Sequence, residues 1–253
     1  MKILAILAML LPSLAQANPY DTLVTSLGAT YYWPFSSSSG VRDIISGSDA
    51  MCYNGTCTYG APIATYVTGM YVSSSSTTSV SSTVYAGVSG NFSITAWVEL
   101  SSAASQVPLG WSEIGANSLY LTNAYALCSP STNIGWGNYY TTLQWQSCPS
   151  SSLTDGTVHM VGISCAGTTC TLYDNGASYA TKTVSSFSGF GNFMAFGNYA
   201  SGGYQAIGYV GGVAAYQNVA LSGAQMLQLY NCGLSGTGCP GSGSASGQLL
   251  FLN

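Results

Sequence analysis

Short runs of β-branched and aromatic residues, each closed by Ser or Gly, recur along most of this 253-residue chain. They fall near 29–35, 62–72, 83–88, 91–99, 117–123, 141–147, 158–165, 170–174, 178–184, 191–197 and 205–216. Short extended runs at such regular spacing mean an all-β sandwich or barrel. Gly211-Gly212 interrupts the last run and reads as a bulge or a close approach of backbone. Residues 18–28 read as a short lead, and Gly135-Trp-Gly-Asn-Tyr-Tyr140 as a loop. Only one segment reads as a helix: Ser222-Gly-Ala-Gln225 is a capping-box pattern, followed by the apolar Met226, Leu227 and Tyr230.

The two ends have compositions of their own. Met1-Lys2 supplies a positive charge, residues 3–15 are nearly all apolar, and Ala15-Gln16-Ala17 is a small-x-small cleavage site. This is the pattern of a secretory signal peptide cut after Ala17. The apolar run falls short of the roughly 20 residues that span a bilayer, and no other segment reads as transmembrane. At the far end, 236–247 is rich in Gly and Ser and leads into Gln-Leu-Leu-Phe-Leu-Asn (248–253). That apolar end either folds back on its own domain or is donated to another subunit or a secretion partner. The layout expected is a signal peptide at 1–17, one β-sandwich at 18–231 and a Cys-looped tail at 232–253.

Only 4% of the residues are charged, against roughly 25% in ordinary soluble proteins. Beyond Lys2 the cations are Arg42 and Lys182, and the acids are Asp21, Asp43, Asp49, Glu99, Glu113, Asp155 and Asp174. Nucleic acid is excluded as a partner, because phosphate binding needs a basic surface. A surface of Ser, Thr, Asn, Gln, Gly and Tyr changes charge little with pH and lacks the self-repulsion that keeps proteins apart. It suits a harsh extracellular setting, or assembly with copies of the same chain.

All eight cysteines, Cys52, Cys57, Cys128, Cys148, Cys165, Cys170, Cys232 and Cys239, follow the signal peptide. An even count in a secreted chain implies disulfides. Cys52-Tyr-Asn-Gly-Thr-Cys57 carries Asn-Gly, a strong hairpin signal, and predicts a bridge across a two-residue loop. Cys165-Ala-Gly-Thr-Thr-Cys170 repeats that spacing, and Cys128 with Cys148 and Cys232 with Cys239 complete the set by elimination. Zinc is disfavoured, since the CxxC spacing is missing and His159 is the single histidine.

Four segments carry a resemblance: Asn-Phe-Ser-Ile-Thr-Ala-Trp-Val (91–98), Leu-Thr-Asp-Gly-Thr-Val-His-Met-Val-Gly-Ile (153–163), Leu-Tyr-Asp-Asn-Gly (172–176) and Ala-Leu-Ser-Gly-Ala-Gln-Met-Leu-Gln-Leu-Tyr (220–230). In that order and spacing the chain resembles the laminin-G-like, concanavalin-A-like jelly rolls. The resemblance implies a two-sheet antiparallel β-sandwich closed by one short C-terminal helix. It implies a structural His159, with Val158 standing where the family has Trp, and Asn175 replaces the family's strand-end Asp. It also implies a calcium ion at the rim as the one cofactor to consider. Asp43 matches the family's early Asp-x-x-Gly turn, and Asp49 and Asp155 are the other loop acids; against this stands turn capping by the same side chains.

The fold hosts lectins, adhesion modules, glycanases and spacers, so activity must come from the site. Glycanases need two carboxylates flanking the sugar bond. The family's Glu-x-Asp-x-x-Glu run is missing, and Glu99 and Glu113 sit on different elements. No Gly-x-Ser-x-Gly elbow accompanies the serines. No enzyme is expected. Aromatic platforms bind sugars, and Trp111, Trp136, Tyr139, Tyr140 and Trp145 are available. Trp136, Asn138, Tyr139 and Tyr140 form the candidate ligand platform, weighed against core packing or an assembly interface. The reading is therefore a secreted, non-catalytic binding or adhesion module for glycan or cell-surface ligands, located extracellularly or at the cell surface. Its rival is a self-assembling structural subunit of an extracellular filament, surface layer or virion appendage, associating through the apolar C-terminus.

Overall fold

The computed structural model describes residues 18–53, 57–72, 79–83, 90–101, 108–112, 117–122, 134–140, 142–184, 193–196 and 206–241. Their elements are α1 (Pro19–Ser26), β1 (Tyr31–Trp33), β2 (Met51–Tyr53), β3 (Thr58–Ala64), β4 (Val67–Val72), β5 (Ser79–Thr83), β6 (Phe92–Leu100), β7 (Leu109–Ser112), β8 (Asn117–Thr122), β9 (Gly135–Tyr140), β10 (Thr142–Ser147), β11 (Val158–Ala166), β12 (Thr169–Asp174), β13 (Ala177–Thr183), β14 (Phe193–Phe196), β15 (Gly208–Gln217) and α2 (Gly223–Ser235). They form two antiparallel sheets. One has eight strands in the order β13-β12-β11-β6-β15-β4-β3, with β1 also paired to β15. The other has seven, in the order β10-β9-β8-β7-β14-β5-β2. The expected β-sandwich is what the chain builds.

At the centre of the eight-stranded sheet β6 and β15 are buried on both faces, and this explains why they read as runs of apolar and small residues. Along β6, Phe92, Ile94, Ala96, Val98 and Leu100 point to the core between the sheets, while Trp97 points into a second core beneath the helices. That second core takes Tyr20, Leu23 and Val24 from α1 and Met226, Leu229 and Cys232 from α2. The molecule thus has three layers, with a helix pair on the outer face of one sheet. Polar residues on that face are matched rather than excluded. Ser93 Oγ accepts from the Leu221 amide at 2.8 Å, and Ser164 Oγ donates to the Leu221 carbonyl at 2.7 Å, tying the approach to α2 onto the sheet.

Residues 18–28 are not a simple lead, so the described residues hold two helices where one was expected. Asn18 caps α1 by accepting from the Tyr20 amide at 2.9 Å, and Pro19 follows at the first helical position, where a missing N–H costs nothing. At α2 the capping box is present: Ser222 Oγ accepts from the Gln225 amide at 3.3 Å and Gln225 Oε1 accepts from the Ser222 amide at 2.8 Å. The helix runs on past 231 to Ser235 and ends at Gly236, whose φ is +78°.

Gly211-Gly212 is a bulge. Between Gly211 and Ala214, β15 carries one residue more than β6 opposite it. This is also where the partner on the other edge of β15 changes from β4 to β1. Gly212 has φ +52°, and a Cβ there would lie 2.9 Å from both Trp97 Cδ1 and Val67 Cγ1. The extra residue keeps Val210 and Val213 both in the inter-sheet core.

Cys165–Cys170 and Cys232–Cys239 are bonded as expected. Cys57 and Cys148 are also in disulfides; Cys128, the Cys52 side chain and residues 54–56 lie outside the described residues. The expected hairpin at 52–57 is corrected. β2 pairs with β5 and β3 pairs with β4, in different sheets, so the chain crosses from one sheet to the other between Tyr53 and Thr58. At the opposite side of the sandwich two side chains join the sheet edges: Trp145 Nε1 donates to the Thr183 carbonyl and Tyr179 Oη to the Ser147 carbonyl, each at 3.1 Å.

Candidate functional site

The segment expected to be a loop platform is a strand inside the seven-stranded sheet. β9 pairs with both β8 and β10. Trp136 is 1% exposed within the inter-sheet core, and Asn138 is fully buried. Neither offers a face to a sugar, because the alternation of this strand turns both inward. The backbones of Tyr139 and Tyr140 lie in β9 and that of Trp111 in β7; the side chains of all three lie outside the described residues, as does Glu113.

The calcium candidates are not gathered into one site: among the described residues no three His, Cys, Asp or Glu side chains could hold a metal together. Asp43 is fully buried, and its oxygens accept from the amides of Tyr32 at 2.8 Å, Ile45 at 2.9 Å and Ser46 at 3.3 Å, and from the Ser46 hydroxyl. Asp49 faces Arg42 across an isolated bridge, 3.9 Å from its guanidinium. Asp155 accepts from the Thr157 amide at 2.8 Å and the Thr157 hydroxyl at 2.7 Å. Asp43 and Asp155 thus cap their own turns.

The histidine cluster can be read by counting protons. His159 is 4% exposed. Its Nδ1 lies 3.0 Å from Asp174 Oδ1, and its Nε2 lies 3.1 Å from Thr157 Oγ1 and 3.4 Å from Asp155 Oδ1. The single Thr157 hydroxyl proton goes to Asp155, so toward Nε2 that hydroxyl can only accept. Both ring nitrogens therefore carry hydrogen. Burial opposes the charged ring, but the Asp174 and Asp155 carboxylates outweigh it and raise the His159 pKa above 6.5. For Asp155 burial pushes upward, and the Thr157 hydroxyl and amide together with His159 win, holding its pKa below 3.8. While both nitrogens are protonated the ring has no lone pair with which to activate a nucleophile. Ser151 completes the exclusion, since its hydroxyl donates to Asp174 at 2.6 Å and not to the imidazole. The cluster instead ties the start of β11 to the β12–β13 turn.

A pH dependence follows. A raised folded pKa means that His159 stabilises fully below its ordinary value and that this contribution is lost as pH rises through the folded pKa. Asp155 acts in the other direction, contributing above its ordinary value and losing that as pH falls through its lowered pKa. Thermal melts should therefore fall on the alkaline side of about pH 6.5. His159→Gln should remove that fall and cost about 2 kcal/mol at pH near 6, from the lost charge-assisted hydrogen bonds. An unchanged alkaline fall in the variant would refute the assignment.

A surface that no sequence motif marks lies at the other end of the eight-stranded sheet. There β4, β15, β6 and β11 align Tyr71, Tyr209, Glu99 and Val158 in one cross-strand row. All four share the outer face, as the alternation from Val67, Gly211, Trp97 and Met160 requires. At this row Tyr71 is 42% exposed and Tyr209 and Glu99 half-buried. The two tyrosine rings sit 5.1 Å apart at 59°. One row inward β4 and β15 carry Gly69 and Gly211, and Ile63 lies over them, so that a Cβ on either glycine would meet Ile63 Cδ1 at 3.1 or 2.8 Å. The loop before β11 comes to the same end, with the Gly156 amide donating to the Leu100 carbonyl at 2.9 Å. The row is a tilted pair of aromatic rings beside a carboxylate.

The family model described as the concanavalin A-like lectin/glucanases superfamily matches residues 59–226. The chain belongs to that superfamily. No curated protein sequence matches it. Among solved structures, domain 4 of AbnA, a GH43 extracellular arabinanase from Geobacillus stearothermophilus, solved with arabinotriose, is 14% identical with a TM-score of 0.67, covering 80% of this chain and 98% of that one. The botulinum neurotoxin serotype D binding domain is 15% identical with a TM-score of 0.61, over 81% of this chain and 52% of that one. The same serotype's ligand binding domain, solved with N-acetylneuraminic acid, is 14% identical with a TM-score of 0.61, over 83% and 52%. The chain thus spans about half of each toxin domain. At such identities these likenesses speak for the fold. Within the lectin/glucanase superfamily the acids that could make a glucanase matter most. Here Asp155 and Asp174 are both engaged with His159, and Asp155 is held in its ionised form rather than poised as a general acid. Among the described residues no helix is long and apolar enough to cross a membrane.

Proposed function

We propose that this protein is a secreted, non-catalytic glycan-binding module that uses the Tyr71–Tyr209–Glu99 row. The observation that carries the reading is the cross-strand tyrosine pair, Tyr71 exposed and Tyr209 half-buried, with a carboxylate in the adjacent strand. Tilted rings give apolar faces for the C–H side of a sugar, and Glu99 gives an acceptor for its hydroxyls. Superfamily membership supports a binding role, and structural neighbours solved with arabinotriose and with N-acetylneuraminic acid are compatible with it. Disulfides support an extracellular location.

Tyr71→Ala and Tyr209→Ala should each weaken glycan binding about tenfold, equivalent to about 1.4 kcal/mol, and leave the melting temperature within a few degrees. Screening the folded protein and both variants on a broad glycan array reads this directly. Binding that survives the double substitution would place the site elsewhere.

A self-assembling structural subunit is the second reading. It is supported by the 4% charge content and by Leu227 and Leu234 standing exposed on α2. Light scattering on the same samples separates it: a monomer at every concentration removes it.

A further inference from the structure

The row has a charge that should select its ligand. We infer that the Tyr71–Tyr209–Glu99 row takes neutral or amino sugars and rejects acidic ones such as uronates and sialic acids. The inference rests on the glycan-binding reading above and adds the chemical class of the ligand.

Three observations carry it. Glu99 is the register partner of Tyr209, on the outer face of the sheet, so any sugar stacked on the tyrosines lies beside a carboxylate. A carboxylate accepts from hydroxyls and ammonium groups and has nothing to offer another carboxylate. A second acid, Asp155, comes to the same end of the sheet. It is 40% exposed, on the loop that Gly156 fastens to the carbonyl of Leu100, the neighbour of Glu99.

His159 already faces Asp155 and Asp174, and neither of the other cations compensates Glu99. Recognition of an acidic sugar calls for Arg or Lys, and beyond Lys2 the chain has only Arg42 and Lys182. Arg42 faces Asp49 at 3.9 Å. Lys182 is on β13, three strands from β6 and five from β4, which at about 4.8 Å per strand is roughly 14 and 24 Å away. Both separations exceed the screening length of about 8 Å at physiological salt. The formal net charge of −4 adds to the repulsion of anions. An acidic sugar on this row would lose water from its carboxylate and gain no partner.

The test is an array of oligosaccharides presented as matched sets: neutral glucose and N-acetylglucosamine oligomers, glucosamine oligomers, uronate oligomers, and galactosides with and without a terminal sialic acid. The wild-type protein, Glu99→Gln and the Tyr71→Ala/Tyr209→Ala double variant are applied at low and high salt. Acidic members should bind at least about fivefold more weakly than their neutral counterparts at low salt. Glucosamine oligomers should bind at least as well as their acetylated forms, and Glu99→Gln should move each acidic-to-neutral ratio toward one. Tyrosine-dependent retention of an acidic glycan as strong as that of its neutral counterpart, or a ratio unmoved by Glu99→Gln, overturns the charge selection and leaves the tyrosine site standing. Binding of no glycan at all, or binding indifferent to the double variant, overturns the glycan reading itself.

Discussion

Trp97→Ala should cost about 4 kcal/mol of folding stability and loosen the helix layer as a unit. Trp97 is fully buried on the outer face of β6 and joins both helices to the sheet. Its Nε1 donates to Tyr20 Oη at 2.8 Å, its ring meets the edge of Tyr20 at 6.0 Å, and it stacks on Tyr230 at 6.0 Å and 16°. α2 comes so close that a Cβ on Gly233 would lie 2.4 Å from Trp97 Cζ2. Truncation opens a large cavity between three elements that cannot collapse independently, and this kind of change costs about 3–5 kcal/mol. It also leaves the buried Tyr20 hydroxyl without its donor. In a chain of this size about 4 kcal/mol corresponds to roughly 8–16 °C in melting temperature. Trp97→Phe separates the two contributions, because it keeps a ring in the cavity and removes the donor. Urea melts measure the cost, and hydrogen exchange locates it. Exchange should accelerate in α1 and α2 before it does so in β6. A cost below about 1 kcal/mol, or acceleration spread evenly over both sheets, would refute this account.

The same tryptophan shows why the sandwich was legible in the sequence and its outer layer was not. The run at 91–99 is apolar or small at almost every position, and it matches β6 within a residue at each end. Burial on one face would leave alternation; burial on both leaves a continuous run. What covers the second face is a question of tertiary contact. The cap of α1, Asn18 followed by Pro19, was present in the sequence. However, a helix of eight residues has too little periodicity to stand out. At α2 the cap and thirteen residues of helix were enough. Gly135-Trp-Gly-Asn-Tyr-Tyr140 misled for a related reason. Glycines suggest a loop, but Gly135 is required by close packing, since a Cβ there would lie 2.2 Å from the Ser147 carbonyl oxygen. The 52–57 segment misled because Asn-Gly marks a turn without saying which sheet the next strand joins.

The candidate site was less legible than the fold. Tyr71 and Tyr209 come from distant parts of the chain and become neighbours only through the β4–β15 register. Each sits in a run where a tyrosine is an ordinary strand residue. Nothing in either local sequence distinguishes an exposed tyrosine at the open end of a sheet from a buried one such as Tyr216, fully buried in the same strand as Tyr209. What separates them is the reach of the helix layer. Tyr216 lies under it, while Tyr71 lies beyond its edge. The His159 cluster was easier, because three of its members fall within five residues, and the fourth, Asp174, lies in the quoted 172–176 segment. Only the hydrogen positions, inferred from who donates to whom, show a ring that donates from both nitrogens.

Asp43→Ala should be as damaging as a large core truncation, about 3–5 kcal/mol, although it removes only a carboxylate. Four donors converge on that group: the amides of Tyr32, Ile45 and Ser46 and the Ser46 hydroxyl. The Asp43 amide donates to the Ser48 carbonyl at 2.9 Å, its carbonyl accepts from Gly47 at 2.9 Å, and the Ile44 amide reaches back to the Tyr32 carbonyl at 3.0 Å. The turn is thus folded around the side chain and fastened through it to β1. Alanine leaves the buried Tyr32 amide without its acceptor, at about 1–3 kcal/mol, and removes the charge-assisted bonds that hold the half-buried Ile45 and Ser46 donors in the turn. Asp43→Asn separates geometry from charge. It fills the same volume and keeps one acceptor, but turns an NH₂ toward one pair of donors, and should cost about half as much. The order wild type, Asn, Ala in chemical denaturation is the expected result. Proteolysis should then cut first between Ile44 and Ile45, which are already 43% and 38% exposed. An Asn variant less stable than Ala would mean that the site needs the negative charge itself. A melting temperature that rose with added calcium in the wild type and not in Asp43→Ala would mean that a cation, rather than the four donors, is what this carboxylate serves.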